Sequence, residues 1–377
     1  MEPSFNFDLQ LTGGLTGVIA EVLDSPAGQT AAASTRPLAV DLAGLDGAAP
    51  TARLAATGLG LWRSVFGAPA IAELWRASLA RVEPDGVLRL RLATGTPALA
   101  ALPWELLYDE TLGRFLALDG RTPVTRFVRL PIAPAPWPQD RPLRLLFTGA
   151  SPSDLFTLDV AGEWQEIARA VAPVVADGRV QTTSVAQGAT LADLLSALRR
   201  GVDLWHFAGH GTDHGLIFCD ARGRAELVEA GILGELLAGE GVRLAVLNAC
   251  RAGAGGGQAA SVAGALVRAG VPAVIALQGD ITSAAAEAFA AAFYDAIAAG
   301  QGADRAVTAA RKAIRAAGTA EWWLPTLFMR TADGRIWQEP KRERPPATAP
   351  HVAVQGDRNI VIAGTVGGNV TIHQSDL

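Results

Sequence analysis

Residues 205–211 read Trp-His-Phe-Ala-Gly-His-Gly, and residues 244–253 read Leu-Ala-Val-Leu-Asn-Ala-Cys-Arg-Ala-Gly. Each segment begins as an apolar run of strand length and then breaks into small residues, with His210 or Cys250 just past the break. Buried parallel strands read as apolar runs, and α/β folds place their sites at the carboxyl ends of such strands. The two segments therefore predict strands that bring together a histidine and a cysteine, which is the pair that a cysteine nucleophile and its base require.

From Arg141 onward, short apolar runs alternate with longer amphipathic stretches. The predicted strands are Leu143–Thr148, Val180–Val185, Leu204–Ala208, Leu244–Leu247, Ala273–Leu277 and Thr326–Met329. The predicted helices are Gly162–Val175, Leu191–Arg200, Leu227–Leu237, Ala259–Ala269, Ala284–Ala299 and Ala303–Ala317. Repeated strand–helix units of this length predict an α/β fold, a mostly parallel sheet with helices on both faces.

The section before Arg141 lacks that rhythm and predicts a mixed α/β N-terminal region at residues 1–140. Its predicted elements are a β-hairpin at Phe5–Val22, helices at Leu54–Phe66 and Ile71–Arg81, a half-exposed strand at Val87–Leu92, and strands at Phe115–Leu118 and Val124–Leu130. Four prolines within residues 131–138 predict a stiff extended linker. We therefore expect the α/β domain to occupy residues 141–337.

The C-terminal part of the chain differs again in composition. Residues 338–350 are charged and proline-rich without periodicity, which predicts a disordered linker. Within residues 351–377, Asn359-Ile360-Val361-Ile362 recurs ten residues later as Asn369-Val370-Thr371-Ile372. These β-prone arms cannot build a core alone, but copies from several chains can stack in register into Asn ladders.

The composition excludes several classes of protein. The 377 residues carry a net charge of −5, which argues against a nucleic-acid surface. Half of the residues are hydrophobic and 18% are charged, so a large core can be buried. Two cysteines cannot build a disulfide framework, the start lacks the pattern of a signal peptide, and no apolar stretch reaches the length of a membrane span. We expect a cytoplasmic protein.

The three neighbouring histidines differ in their surroundings. His206 lies inside the apolar run, which favours a structural role, whereas His210 lies between two glycines and is the candidate base. His214 is typical of a solvated loop residue. Their spacing of four raises the possibility of a metal site, but the glycine break keeps them off one helix face and no carboxylate motif accompanies them. The sequence predicts no metal and no other cofactor.

The two cysteines also differ. Cys250 precedes a glycine-rich loop and a predicted helix, whose dipole favours a thiolate. A buried cysteine is more often a small hydrophobe, and Cys219 within Leu216–Cys219 fits that structural interpretation. For Cys250 the pairing with His210 favours a nucleophile.

These residues carry a family resemblance. Asn248-Ala249-Cys250-Arg251-Ala252-Gly253 resembles the caspase signature Q-A-C-R-G, and a wider set of motifs resembles the CHAT family, caspase-like proteases of the separase and gingipain clan. The resemblance runs from about Leu102 to Arg330 and includes Leu102-Pro103-Trp104-Glu105-Leu106-Leu107, Ala292-Phe293-Tyr294 and Trp323-Leu324-Pro325-Thr326-Leu327-Phe328-Met329-Arg330. The combination is specific, although the single motifs are not. Pro103-Trp104-Glu105 alone supports a likeness of the first section to the degenerate half that precedes some clan proteases.

The resemblance implies peptide-bond hydrolysis. Cys250 is then the nucleophile, His210 the base and later the acid, and the N–H groups of Gly211 and Cys250 the oxyanion hole. In this clan the residue two before the nucleophile lines the specificity pocket, and Asn248 there, in place of an acid, puts an Arg/Lys preference in doubt. Asp154 and Asp280, after the first and fifth strands, are the candidates for supplying a carboxylate. Many relatives have Trp where this chain has Gln278.

The tail resembles the short amyloid-signalling motifs of bacterial immune systems. That resemblance implies an NLR-like sensor, an ATPase of the NACHT or a similar type, with a matching motif that clusters the protease through residues 351–377. The expected substrate is a protein, for example another effector such as a pore-forming protein. The other interpretation of the tail is a flexible end with accidental β-propensity.

Two other functions stay open for the whole chain. One is a non-catalytic caspase-fold adaptor that only transmits assembly, which a lack of thiol reactivity at Cys250 favours. The other is a nucleotide-binding α/β enzyme, which lacks support because neither G-x-G-x-x-G nor a Walker motif occurs at a strand–helix turn.

Overall fold

The structure, a computed structural model, describes residues 4–14, 16–82, 86–131, 134–138, 140–250, 258–338, 351–354 and 360–363. For Cys250, for residues 258–260 and for the two C-terminal segments, the description is limited to the backbone. The chain forms two units, Met1–Glu339 and Pro340–Leu377.

The apolar runs of the first unit form strands. In chain order the strands are β1 (Ser4–Gly14), β2 (Gly17–Asp24), β3 (Ser34–Arg36), β4 (Val87–Thr94), β5 (Tyr108–Asp109), β6 (Arg114–Phe115), β7 (Val124–Phe127), β8 (Leu143–Ala150), β9 (Val180–Val185), β10 (Leu204–Gly211), β11 (Gly215–Cys219), β12 (Ala225–Glu229), β13 (Leu244–Cys250), β14 (Ala273–Leu277) and β15 (Pro325–Met329). β5 and β6 pair with each other, and the other strands belong to one sheet.

The helices of the first unit lie between these strands. They are α1 (Thr51–Phe66), α2 (Pro69–Arg81), α3 (Pro97–Ala100), α4 (Val160–Ala176), α5 (Leu191–Arg199), α6 (Ala230–Leu237), α7 (Gln258–Ala269), α8 (Ser283–Ala298) and α9 (Ala303–Ala316). Thr190 caps α5 in a reciprocal capping box with Asp193, while Gly270 and Gly300 have positive φ just past two helix ends. Within the described ranges, no helix combines the length and apolarity that crossing a membrane requires.

The sheet runs in the order β9–β8–β10–β13–β14–β15–β7–β4–β1–β2–β3. The hairpin β11–β12 joins the end of β10. From β9 to β14 all strands are parallel, β15 is antiparallel to β14, and β7, β4 and β1 are parallel to β15. The direction of the parallel strands therefore reverses once, between β14 and β15. Carboxyl ends of strands thus lie on both of the sides where the strands end, and we call each of these sides a carboxyl edge.

Helices cover both faces of the sheet. On one face α4 and α8 pack against Leu204, Ala208 and Val246. On the other face α5, α6 and α7 pack against alternate residues of the same strands, Trp205 and Leu247 among them. The predicted α/β fold with helices on both faces of a mostly parallel sheet is confirmed.

Strand β4 differs from the prediction, because it is buried on both faces rather than half-exposed. Its neighbours β1 and β7 leave it no free edge. The two arginines that suggested a solvated face are paired inside the protein. Arg89 lies 2.6 Å from the carboxylate of Asp304, and Arg91 pairs with Asp8.

Other boundaries also differ from the prediction. Phe115–Leu118 is a strand only at its first residue and then a 3₁₀ turn, Leu116–Leu118. The predicted helix Leu227–Leu237 begins only at Ala230, because the missed hairpin β11–β12 extends to Glu229. Strands β10 and β13 continue through their glycines and small residues to Gly211 and Cys250. Pairing with neighbouring strands outweighs the low strand propensity of glycine there.

A buried ionic cluster joins the two sections of the first unit. The carboxylate of Glu105, which is fully buried, accepts hydrogen bonds from Arg126 of β7 at 2.9 and 2.7 Å. Arg311 of α9 lies 3.9 Å from the same carboxylate, and Gln278 donates to it at 2.9 Å. Burial raises the pKa of Glu105, but the charges of Arg126 and Arg311 outweigh it and hold the pKa below its usual range.

The sections before and after Arg141 share the sheet through the pairing of β15 with β7. A domain boundary at residue 140 stays a prediction. In the proline segment, the backbone N–H of Trp137 donates to Ile336 O, and the guanidinium of Arg243 lies 3.1 Å above the Trp137 ring. The predicted disordered linker lies, apart from Gln338, outside the described residues.

The second unit contains an antiparallel pair of strands, β16 (His351–Val354) and β17 (Ile360–Ala363). Val352 lies opposite Ile362, and Val354 lies opposite Ile360. The second arm of the predicted repeat, residues 369–372, lies outside the described residues.

We predict that Glu105→Gln lowers the free energy of unfolding at neutral pH by about 3–5 kcal/mol, because it leaves buried guanidinium groups without a carboxylate. Since the folded-state pKa of Glu105 is lowered, its contribution is present above the unfolded pKa and is lost as pH falls through the folded pKa. Denaturant unfolding at a series of pH values should show the wild-type and variant curves converging in acid.

Glu226→Gln, on exposed β12, is the control and should change the free energy of unfolding by less than about 0.5 kcal/mol. A difference that stays constant with pH would contradict the ionised state of Glu105.

Candidate active site

His210 and Cys250 occupy paired positions on neighbouring parallel strands. The register of β10 and β13 sets Ala208 beside Asn248 and His210 beside Cys250. Neighbouring strands are about 4.8 Å apart, so the two backbones place these residues at the same point of one edge. Cys250 is the last residue of β13, and that edge is where the carboxyl ends of β8, β10, β13 and β14 meet.

The imidazole of His210 is oriented by a backbone carbonyl. His210 is 8% exposed, and its Nε2 lies 2.7 Å from the carbonyl oxygen of Phe156. A carbonyl can only accept, so Nε2 carries the hydrogen in this contact. In the neutral ring, Nδ1 is then the nitrogen with the free lone pair, and it is the one that can take a proton.

The loop that supplies this carbonyl, residues 151–159, connects β8 to α4. The hydroxyl of Ser151 accepts from the N–H of Leu158 at 2.9 Å, and the N–H of Ser153 donates to Gly223 O at 2.8 Å. These bonds attach the loop to itself and to the hairpin β11–β12. The Phe156 side chain is 70% exposed, so its backbone carries the contact with the histidine.

The glycines around His210 are required by close packing of the backbone. A Cβ on Gly209 would lie 2.8 Å from the carbonyl oxygen of Ala150, and one on Gly211 would lie 3.1 Å from the Cβ of Ala249. Gly211 also pairs with Leu216 of β11. Strand β10 can therefore continue to the edge with β8, β13 and β11 all packed around it.

A polar network lies behind the paired residues, on the face covered by α4 and α8. The side-chain amide of Asn248 donates to Oε1 of Glu163 at 2.7 Å. The same Oε1 lies 3.4 Å from Nε2 of His206, whose Nδ1 lies 2.8 Å from the hydroxyl of Tyr294. At 3.4 Å these two atoms are close to each other but do not meet hydrogen-bond geometry.

Tyr294 stays protonated in this network. Burial raises the pKa of its hydroxyl far above the usual range, and the negative charge of Glu163 raises it further. His206 is 4% exposed and packs 5.5 Å from the Phe147 ring, in keeping with the structural role expected for it. Sequence reasoning missed Glu163, whose one local signal is its place in the first turn of α4, where the helix dipole favours an anion.

Asp154 lies in the loop after β8, and its carboxylate is already engaged. Oδ1 accepts from the N–H of Ala225 at 2.7 Å, and Arg224 lies 3.5 Å from Oδ2. The hydrogen bond from Ala225 lowers the pKa of Asp154 most, and Arg224 lowers it further. A role in substrate binding stays a prediction.

Asp280 follows β14 at the same edge and is exposed. It lines a cleft of about 630 Å³ together with Gln278, Glu321 and Asp46. Gln278 itself donates to Glu105 and, at 3.3 Å, to Trp323 O, so it connects two of the motifs noted in the sequence. A substrate-binding role for Asp280 also stays a prediction.

The remaining candidates lie apart from this network. His214 is exposed in the turn between β10 and β11, where its N–H donates to the Thr212 hydroxyl at 3.1 Å. Cys219 is buried in the apolar core, which raises the pKa of its thiol and suits the structural role expected for it. Across the described ranges, no group of three or more His, Cys, Asp and Glu side chains is placed to hold a metal ion.

Comparison with known proteins gives one family and several similar structures. Residues 60–344 match the CHAT domain. Gingipain R, an Arg-specific cysteine proteinase, is similar over 72% of this chain and 69% of its own, at 13% identity and a TM-score of 0.46. The complex of the RgpB pro- and mature domains from Porphyromonas gingivalis is similar over 73% and 72%, at 12% identity and a TM-score of 0.46.

The separase–securin complex of Saccharomyces cerevisiae is also similar, over 69% of this chain but only 17% of that one, at 13% identity and a TM-score of 0.41. No curated protein matches the chain.

Proposed function

The chain belongs to the CHAT domain family, and from this premise we propose that it is a cysteine endopeptidase with Cys250 as nucleophile and His210 as its base. The observation that carries the proposal is the register of β10 and β13, which sets His210 beside Cys250 at a carboxyl edge of the sheet. The contact of Nε2 with the Phe156 carbonyl adds to it, because that contact leaves Nδ1 to accept a proton.

The proposed reaction follows the usual course of acyl transfer. His210 takes the thiol proton, and the thiolate of Cys250 attacks the carbonyl carbon of the peptide bond. The N–H groups of Gly211 and Cys250 stabilise the negative oxygen of the tetrahedral intermediate. His210 then protonates the leaving amine, and it activates the water that releases the acyl group from sulfur. The neutral carbonyl of Phe156 holds the ring in place through each proton transfer.

The substrate is a protein, and the network around Asn248 suggests which side chain it presents. Asn248 lies two residues before Cys250 on the same strand, about 7 Å along it. Its amide holds the Glu163 carboxylate at 2.7 Å, so an anion stands within a side chain's reach of the nucleophile. A lysine or arginine before the cleaved bond complements that charge. Asn248 does not itself supply the acid, but it positions one.

We expect an electrophilic peptidyl probe to label the full-length protein at Cys250 only. His210→Ala should slow labelling at least about a hundredfold, since it removes the base that generates the thiolate. Mass spectrometry locates and quantifies the adduct. His214→Ala is the matched control because it removes an exposed imidazole from the adjoining turn, and it should label at the wild-type rate.

Labelling at another residue in place of Cys250, or labelling that does not depend on His210, would contradict the protease. If the protein remains unlabelled even when it is clustered through its tail, the non-catalytic adaptor becomes the better interpretation.

We expect Glu163→Gln to reduce the preference for a basic residue. Two peptides that differ only in arginine or citrulline before the cleaved bond isolate the charge. The wild-type ratio of their kcat/KM values should favour arginine, and the variant should lower that ratio about tenfold, the effect of losing one charge-assisted contact. Glu166→Gln, one turn further along α4, is the control. An unchanged ratio with unchanged probe labelling would remove Glu163 from the pocket and leave the proposed protease intact.

We further propose that the protein is a cytoplasmic effector of bacterial immunity or regulated cell death. Residues 351–377 cluster it with an NLR-like sensor that carries a matching motif, and clustering activates the protease. The repeat of Asn359-Ile360-Val361-Ile362 as Asn369-Val370-Thr371-Ile372 supports this proposal. The pairing of β16 with β17 adds to it, because residues 360–362 of the first arm lie in a strand.

Deleting residues 351–377 should abolish fibre formation and spare labelling of Cys250, because the two activities belong to different units. Electron microscopy and thioflavin fluorescence measure the fibres. Cys250→Ala is the complementary variant, and it should form fibres and cleave nothing. Fibres from the truncated chain, or a truncated chain that still responds to its sensor, would show that the tail does not have this role.

A further inference from the structure

The reversal of strand direction gives the molecule a second carboxyl edge. β14 runs toward the edge that carries Cys250, whereas β15, β7 and β4 run the other way. They end at Met329, Phe127 and Thr94 on the opposite edge. In α/β sheets the carboxyl ends of parallel strands are where ligands bind. The edge opposite Cys250 can therefore also carry a binding site.

A cavity of about 400 Å³ lies there, between the ends of β4, β7 and β15 and one face of α7. Three arginines line it, Arg126, Arg129 and Arg268, and none of the described lining residues is acidic. Its other polar lining includes Ser261, which is exposed, and Thr96, whose hydroxyl donates to Gly13 O at 3.4 Å. In a chain of net charge −5, a cavity wall with arginines and no carboxylate is a local excess of positive charge.

The three arginines are not equivalent. Arg126 is neutralised by Glu105 at 2.7 Å. Arg129, just past β7, and Arg268, in the last turn of α7, have no hydrogen-bond or ion-pair partner among the described residues, and both are exposed. The helix dipole accounts for a cation at the end of α7, but it does not account for Arg129. The cavity therefore holds two uncompensated positive charges.

The surface of α7 leaves room for one of these groups. A Cβ on Gly264 would come 3.3 Å from Nη1 of Arg268. The guanidinium of Arg268 therefore lies over α7 beside Gly264, whose side chain is a single hydrogen. Arg268 is directed along the cavity wall because Gly264 presents no side chain there.

We propose that this cavity binds a small organic phosphate. Two guanidinium groups are the donors that phosphate oxygens prefer, and the two charges match a dianion. The exposed Ser261 hydroxyl is a further donor. Pro97, Phe127 and Phe328 supply apolar wall for an organic body. The volume is within the range of small-molecule pockets. Because the cavity lies at the edge away from Cys250, its ligand is not the peptide that is cleaved.

The test is calorimetric titration of the full-length protein at low ionic strength with phenyl phosphate and, separately, with inorganic phosphate. Phenyl phosphate should bind at one site and more tightly than inorganic phosphate, because only the ester contacts the apolar wall. Arg129→Gln and Arg268→Gln should each weaken binding about tenfold. Arg76→Gln is the matched control, since Arg76 is exposed on α2 and its Nε donates to Ala72 O. The affinity of Arg76→Gln should equal that of the wild type.

Gly264→Leu is a second test of the site, because it removes no charged group. A bulky side chain there should displace the Arg268 guanidinium and weaken binding of phenyl phosphate, with the thermal midpoint measured in parallel to confirm folding. Unsaturable binding, or affinity that the Arg129→Gln, Arg268→Gln double variant leaves unchanged, would overturn the proposal. Equal affinity for inorganic phosphate and phenyl phosphate would overturn the organic part of it.

Discussion

The structure depends most on a single buried anion, the carboxylate of Glu105. An ionised carboxylate inside a protein is costly unless opposite charges and hydrogen bonds surround it, and here Arg126, Arg311 and Gln278 do so. These partners come from β7, from α9 and from the end of β14. One ionic cluster thus fixes a strand of the first section, a helix of the second and the edge that carries the candidate site.

The same principle shapes the candidate site on a smaller scale. Glu163, His206 and Tyr294 place three polar groups under an apolar sheet. His206 is hydrogen-bonded to Tyr294, and Glu163 lies 3.4 Å from its other nitrogen. Asn248 brings that network to the strand of Cys250. His210, in contrast, is held by a backbone carbonyl that cannot titrate. The side chain that we propose to exchange protons is therefore oriented by a group that cannot exchange them.

Much of this could be predicted from local sequence. Apolar runs such as Ala273–Leu277 formed strands with the predicted bounds, and the approach of His210 to Cys250 followed from two strand ends. The features that could not be predicted depend on partners that are distant in the sequence. Arg89 and Arg91 in an alternating strand indicate an exposed face, and only Asp304 and Asp8 make that face buried. In the sequence, Glu163 looks like any acidic residue in the first turn of a helix. Its hydrogen bond with Asn248 becomes visible only in the folded structure.

Strand β15 occupies the middle of the sheet although it is made last within the first unit. Among the described strands it alone pairs with both β14 and β7, so each of those two strands keeps one unpaired side until residues 325–329 have been synthesised. Glu105 likewise lacks its partner Arg311 until about two hundred further residues have been synthesised. A nascent chain that contains His210 and Cys250 but not yet residues 325–329 therefore cannot complete its sheet. The candidate nucleophile is therefore synthesised well before the fold that surrounds it can become stable.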